Sequence, residues 1–423
     1  MLLRTMIRSS AATVLLPLLV AFVLLALSND LSAWVTPRYW PSATGSAAFA
    51  QPFVSAACAA AAAWEGARLT KGRVFDQTSV RGPVAIAVPV LLPVLLMGVI
   101  GILVALVITA AAADVPLGLP EAGILAAIIA MLAANTLVGF IVGRVLPGVL
   151  AAPVALVGSF FATAYPASWN VMWLRYLVGG GLSNCCSVDT SIDARALAAT
   201  LTFAAAVSCA ALLLIHRRGG TATLCMVFVL LSASVGISWS LTRDLGAEPL
   251  QPRDTAALIC DDGARPAVCL WPEVEDPETV RKASRAAAAR LEQAGVQIPP
   301  TLTMAARPGP QTLKLGIGPT TSEEGDIAGG VASGLLPEPP PCAFAGAPYP
   351  AAVAAGPLSA WLYTTAGMPA DSVAGRFGPE DAAMAQQLTK LPASQQIAWY
   401  KKNREALGKC STPPPLRIAQ VTR

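Results

Sequence analysis

Charge is nearly absent from the interior of several long apolar runs in the first 241 residues, and such runs can be satisfied only in lipid or in a dry core. Residues 1–241 hold 12 Lys/Arg and 7 Asp/Glu, nearly all between the runs, whereas residues 242–423 hold 17 and 18. A mean hydropathy of +0.59 with 13% charged residues belongs to a membrane protein. A helix needs roughly 20 apolar residues to cross a ~30 Å hydrocarbon layer. Seven segments approach that length: 10–27, 51–66, 84–110, 121–143, 148–166, 196–215 and 221–241. The second, built on AACAAAAAW, is the weakest. The first also reads as a signal peptide with Ala26-Leu27-Ser28 as its cleavage site, but its apolar stretch is long, which favours a retained span. The expected fold is an α-helical membrane bundle of about seven spans (1–241), followed by a small α+β extracytoplasmic domain (242–423).

Orientation follows from the bias of Lys and Arg toward the cytoplasm. With the N-terminus inside, inner segments hold Arg4, Arg8, Arg68, Lys71, Arg73, Arg81, Arg144, Arg217 and Arg218. Outer loops hold only Arg38, Arg175 and Arg195. The expectation is a multi-pass protein of a cell membrane, N-terminus cytoplasmic and C-terminal domain outside.

Cysteine placement agrees. Cys58, Cys209 and Cys225 fall within spans, while Cys185, Cys186, Cys260, Cys269, Cys342 and Cys410 fall in segments expected outside. An even set in an oxidising compartment suggests disulfides. The preferred pairs are Cys260–Cys269, over the turn DDGARP, and Cys342–Cys410, although four cysteines allow three pairings. Cys185 and Cys186 are either a vicinal bridge or two reduced thiols.

The first outer loop, 28–50, offers Trp34, Tyr39 and Trp40 as interfacial anchors, and 167–195 opens with an interfacial helix whose Trp169, Met172, Trp173, Leu174 and Leu177 face lipid. Pro89 and Pro93 predict a kink in the third span. The outer domain predicts strands at 256–260, 267–271, 301–306 and 311–317, and helices at 277–294, 357–366, 379–390 and 394–408. Gly329-Gly330 reads as a flexible connection and the tail STPPPLRIAQVTR as extended and mobile.

Absences narrow the chemistry. The single histidine, His216, sits at a span end beside Arg217, so a Ser-His-Asp triad or a histidine-based zinc site is excluded. No GxxxxGK[ST] motif occurs, so the chain binds no ATP by a P-loop. No span carries an interior Asp, Glu, Lys or Arg, which disfavours proton-coupled transport and aspartyl intramembrane proteolysis. No catalytic, cofactor or metal residues are assigned, and nothing points to nucleic acid. Asn135, in the fourth span, is placed to bond across helices or to touch a substrate. The carboxylates Asp261, Asp262, Glu273, Glu275, Glu323, Glu324 and Asp326 sit in turns and helix starts, where solvated acids are expected. The short basic connection 65–83 is either the grip of a cytoplasmic partner or a plain product of charge bias.

The phrases AAAAAWEGARLTKGRV and SVRGPVAIAVPVLLPV resemble a span, cytoplasmic connection and following span of actinobacterial ABC-exporter permease-like membrane proteins. SWNVMWLRYLVGG and CCSVDTSIDARAL are similar to an outer loop of that group, and AVCLWPE and LPASQQIAWYKKNREALGKC to its extracytoplasmic domain. An excess of Arg over Lys and abundant alanine agree with a GC-rich bacterial source. The resemblance implies a permease-like subunit of an ABC-type export system, energised by a separate cytoplasmic ATPase. It also implies a second permease copy or paralogue as partner, with membrane lipid around both. Arg68, Lys71, Arg73 and Arg81 would then mark the ATPase-coupling segment. The chain departs from that family in its seventh span and its large outer domain. The competing reading is a membrane-anchored extracytoplasmic binding or sensing protein. An envelope enzyme comes third, with no residue set to carry it.

Overall fold

Alanine permits close approach, and the structure uses it at the centre of the membrane unit. The computed structural model describes residues 10–27, 34–75, 82–217, 220–344 and 348–417. These form two compact units, Met1–Gln251 and Pro252–Arg423.

In the first unit, α1 (Ala11–Leu27) is followed by α2 (Trp40–Ala47), which runs through a 3₁₀ turn into α3 (Gln51–Lys71). Then come α4 (Pro83–Ala112), α5 (Ala122–Val145), α6 (Gly148–Ala164), the short α7 (Met172–Leu177), α8 (Ala194–Arg217) and α9 (Thr221–Thr242). Among the described residues five helices are long and apolar enough to cross a membrane: Trp40–Lys71, α4, α5, α8 and α9. The apolar α1 and α6 have 17 residues each. The rod Trp40–Lys71 is the least apolar of the five and the most buried. Its Ala59 and Ala63 meet Gly139 and Gly143 of α5, where a Cβ on either glycine would strike the alanine carbonyl. Small residues at four-residue spacing let two backbones touch, so dispersion between them replaces the hydrophobic drive that lipid removes. The segment read as weakest is therefore the bundle's central helix.

Several local expectations change. Much of the expected loop 28–50 is helix: Tyr39 holds the extended position before α2, and Pro41 sits in its first turn, where a missing N–H costs no helix hydrogen bond. Tyr39 is buried and its hydroxyl donates to the Thr190 carbonyl at 2.8 Å, so it is no lipid anchor. Leu177 is likewise buried against the unit.

The second unit is built on a four-stranded sheet in the order β3-β4-β5-β6: Ile259–Asp261, Ala267–Leu270, Thr301–Thr303 and Thr312–Lys314. (A separate pair, β1 at Thr190–Ile192 with β2 at Leu250–Pro252, precedes it.) The hairpin β3–β4 is antiparallel, with Cys260 opposite Cys269, and β4, β5 and β6 are parallel. Helix α10 (Pro277–Gln293) makes the crossover from β4 to β5. Asp276 caps it by accepting from the Thr279 amide at 3.1 Å, and Gly295, at φ +88°, ends the turn beyond it. Among the described residues, four of the five remaining α-helices are α12 (Ala355–Ala366), α13 (Ala370–Phe377), α14 (Pro379–Thr389) and α15 (Ala393–Leu407).

The fifth is α11 (Glu324–Ser333), which contains Gly329-Gly330 and corrects their reading as a flexible connection. Both glycines are buried: a Cβ on Gly329 would meet the Tyr363 ring of α12 at 2.7 Å, and one on Gly330 would strike the Ile317 side chain, so α11 lies close to a different neighbour at each. The tail is also held as far as it is described. Trp399 Nε1 donates to the Leu416 carbonyl at 3.1 Å and Asn403 Nδ2 to that of Pro415 at 3.2 Å. Residues 418–423 lie outside the described set. The core gathers Trp271, Trp361 and Trp399, the last two edge to face at 6.4 Å.

Candidate functional site

The C-terminal end of α3 concentrates the charge of the membrane unit. Helix geometry puts Trp64, Arg68 and Lys71 on one outward stripe and turns Glu65 inward. Glu65 is fully buried against protein, six residues before the end of α3. One carboxylate oxygen accepts the Ala11 amide at the start of α1, at 2.9 Å. The other lies 2.7 Å from Arg68 Nη2, at ion-pair distance but off the line of a hydrogen bond. An anion facing the positive end of a helix is stabilising, and here it ties α1 to α3. Glu65→Leu is expected to lower the melting temperature of the detergent-solubilised protein through a loss of roughly 2 kcal/mol. Glu65→Gln should fall between, since its amide oxygen still accepts from Ala11.

Past Lys71 the chain turns sharply. Val74 N–H donates to the Leu69 carbonyl at 3.1 Å and Arg73 N–H to that of Thr70 at 3.0 Å. This paired closure normally takes glycine at the left-handed position, but Arg73 occupies it at φ +50°. A non-glycine residue there costs about 1 kcal/mol. Phe75 then lies under the Arg144 guanidinium at 4.6 Å, and Arg144 Nη1 donates to the Ile215 carbonyl at 3.4 Å. The start of α1 and the ends of α3, α5 and α8 thus gather at one end of the unit. Arg68, Lys71 and Arg73 are exposed there. Arg81, the fourth residue assigned to this segment, lies outside the described residues.

Asn135 is not brought to this end. Its Oδ1 accepts from Ser159 Oγ at 2.7 Å and its Nδ2 donates to the Met131 carbonyl at 2.9 Å, so it bridges α5 and α6. Cys185 and Cys186 form a vicinal disulfide that lies on Gly45 of α2, where a Cβ would approach Cys185 Cβ to 2.7 Å. Beside it opens a cavity of about 510 Å³, edged by Trp34, Thr36, Ser46, Asn184 and Ser187.

In the second unit the disulfides are Cys260–Cys269 and Cys342–Cys410. Two of the carboxylates singled out in its sequence are engaged structurally, while Asp262, Glu275, Glu323, Glu324 and Asp326 are exposed. Asp261 receives Arg285 Nη2 at 2.6 Å, and that bond, helped by the Gly263 amide, holds its carboxyl below the usual range. Glu273 takes both terminal nitrogens of Arg253, whose guanidinium stacks 4.4 Å over Trp271. Among the described residues no three His, Cys, Asp or Glu side chains cluster to hold a metal. A groove of about 910 Å³ runs beside β6, walled by Pro299, Pro300, Gln311, Tyr400, Lys401 and Arg404.

Residues 268–410 match the family described as Domain of unknown function (DUF7224). The match covers most of the second unit, from strand β4 to Cys410. No curated protein and no solved structure matches the chain.

Two features of the site were missed from sequence. Glu65 was readable as an acid in an alanine run, but nothing local says that it turns toward α1. The other, Gly139-Phe-Ile-Val-Gly143, is a GxxxG motif in an apolar helix, and that signal was present in the sequence.

Proposed function

We propose that this chain is a permease-like transmembrane subunit of an ABC-type export system, driven by a separate cytoplasmic ATPase that engages residues 68–73. In this reading α1 and α6 also cross. Their 17 residues give ~26 Å each, which local thinning of the bilayer accommodates. Seven spans then leave the N-terminus inside and the C-terminal unit outside, and a second copy or paralogue completes the pathway.

The observation that carries the proposal is mechanical. The most buried helix of the bundle is the one that ends in three exposed cations, so a push on that end reaches the packed centre directly. Arg73 adds to it, because a strained residue kept where glycine fits better points to a role other than stability.

The test is recovery of a P-loop ATPase with the protein from its native membrane in mild detergent. Lys71→Glu with Arg73→Glu is expected to lose the ATPase while insertion and melting temperature are retained. Arg73→Gly should keep or slightly raise stability and still weaken recovery. Undiminished recovery in both variants would remove the coupling role. The groove beside β6 favours one second reading, an extracytoplasmic binding protein anchored by its helices. Recovery of an envelope partner held by Pro252–Arg423, with no ATPase, would select it.

A further inference from the structure

Two grooves on the surface of the membrane unit meet at Trp64. The first, about 630 Å³, lies between α1 and α6, with Leu15 on one wall, Pro153 and Leu156 on the other, and Ala60 as floor. The second, about 620 Å³, continues over Ala67 and Gly148 to Arg68 and Lys71. On α3, residues 60, 64, 67, 68 and 71 recur at helical spacing and form one stripe. From Ala60 to Lys71 the stripe runs roughly 16 Å along the axis. Every side chain along the first groove is apolar, and the charges enter only at the far end, both of them positive. Trp64 stands 53% exposed at the junction, the position an indole favours between hydrocarbon and headgroup.

We propose that this continuous groove is a site for one anionic phospholipid, with an acyl chain against Ala60 and Leu156 and its phosphate at Lys71 and Arg68. The polarity of the groove matches a molecule that is hydrocarbon at one end and anionic at the other. Arg68 is held on one side by Glu65 yet keeps its side chain 46% exposed, and Lys71 makes no ion pair among the described residues. A second protein helix laid in the groove would bury Lys71 without a counter-ion, which is costly. A zwitterionic lipid would bring its own ammonium to the same two cations. Basic pockets between membrane helices select anionic headgroups in this way. The site shares Arg68 and Lys71 with the segment proposed to engage the ATPase, and lipid binding is read on the purified chain with no ATPase present.

The test uses the purified full chain, stripped of lipid by detergent exchange and titrated with phosphatidylglycerol or with phosphatidylcholine of the same chain length. Retained lipid is counted by native mass spectrometry. Phosphatidylglycerol is expected to be retained at least about fivefold more tightly, and Lys71→Gln to remove about fivefold of that preference. Ala152→Trp, which fills the apolar groove, should lower retention of both lipids. Glycerol phosphate, which has the headgroup and no chain, should compete poorly. Equal retention of the two lipids, or a preference unchanged in Lys71→Gln, overturns the proposal. So does competition by glycerol phosphate as strong as by the lipid, which would leave a bare anion site. A dimer that excludes lipid and dissociates in Ala152→Trp would give the groove to a second copy.

Discussion

Gly143→Leu is expected to detach α3 from α5 and to cost the membrane unit roughly 3 kcal/mol or more, the upper end for overpacking of a close contact. The collision is with backbone: a Cβ on Gly143 would land on the Ala63 carbonyl and within 2.8 Å of the Ala63 Cα. No rotamer change relieves it, so Gly143→Ala should already lower the melting temperature in detergent. Gly158, in α6, is the internal control. Its Cβ would meet nothing within 4 Å, and Gly158→Ala should be neutral or slightly stabilising, because alanine is the better helix former. Equal melting temperatures for the two alanine variants would show that α3 and α5 are not in backbone contact.

The second large effect belongs to the Pro252–Arg423 unit. Loss of Cys342–Cys410, which closes a 68-residue separation, is expected to destabilise it by roughly 4 kcal/mol on the chain-entropy model. Cys260–Cys269 spans nine residues between strands that are already paired, so its removal should cost nearer 3 kcal/mol. Limited proteolysis of the intact protein reads both. Cys342→Ala with Cys410→Ala should expose cleavage sites within 342–410 at protease levels that leave the parent whole. Cys260→Ala with Cys269→Ala should need more protease. The reverse order would mean that the hairpin, rather than the long loop, limits stability.

Local rules carried much of the second unit. Asp276-Pro277 and Gly295 bracket α10 as caps do, and DDGARP between two apolar runs predicts the hairpin that sets Cys260 opposite Cys269. The same rules failed where a residue's meaning lay in a distant partner. Gly329-Gly330 looks like a flexible connection until Tyr363 of α12 and Ile317 are seen to fill the space that their side chains would take. The alanines of α3 look like a poor span because hydropathy scores contact with lipid, and this helix mostly contacts protein. Glu65 was read as the first residue of a connection because its partner, the Ala11 amide, lies 54 positions away. In each case periodicity described the element, and only the neighbour explained the residue.

The alanine-built α3 also has a consequence for biogenesis. A segment with so little hydrocarbon partitions weakly from the translocon into lipid on its own. Its backbone partner, Gly139-Gly143, is synthesised 80 residues after Ala59 and Ala63, beyond α4. The nascent chain therefore carries an undecided segment beside the insertion machinery until α5 emerges. In the seven-span reading proposed above, the placement of the segments between α1 and α5 waits on that late pairing rather than following the order in which the helices are made.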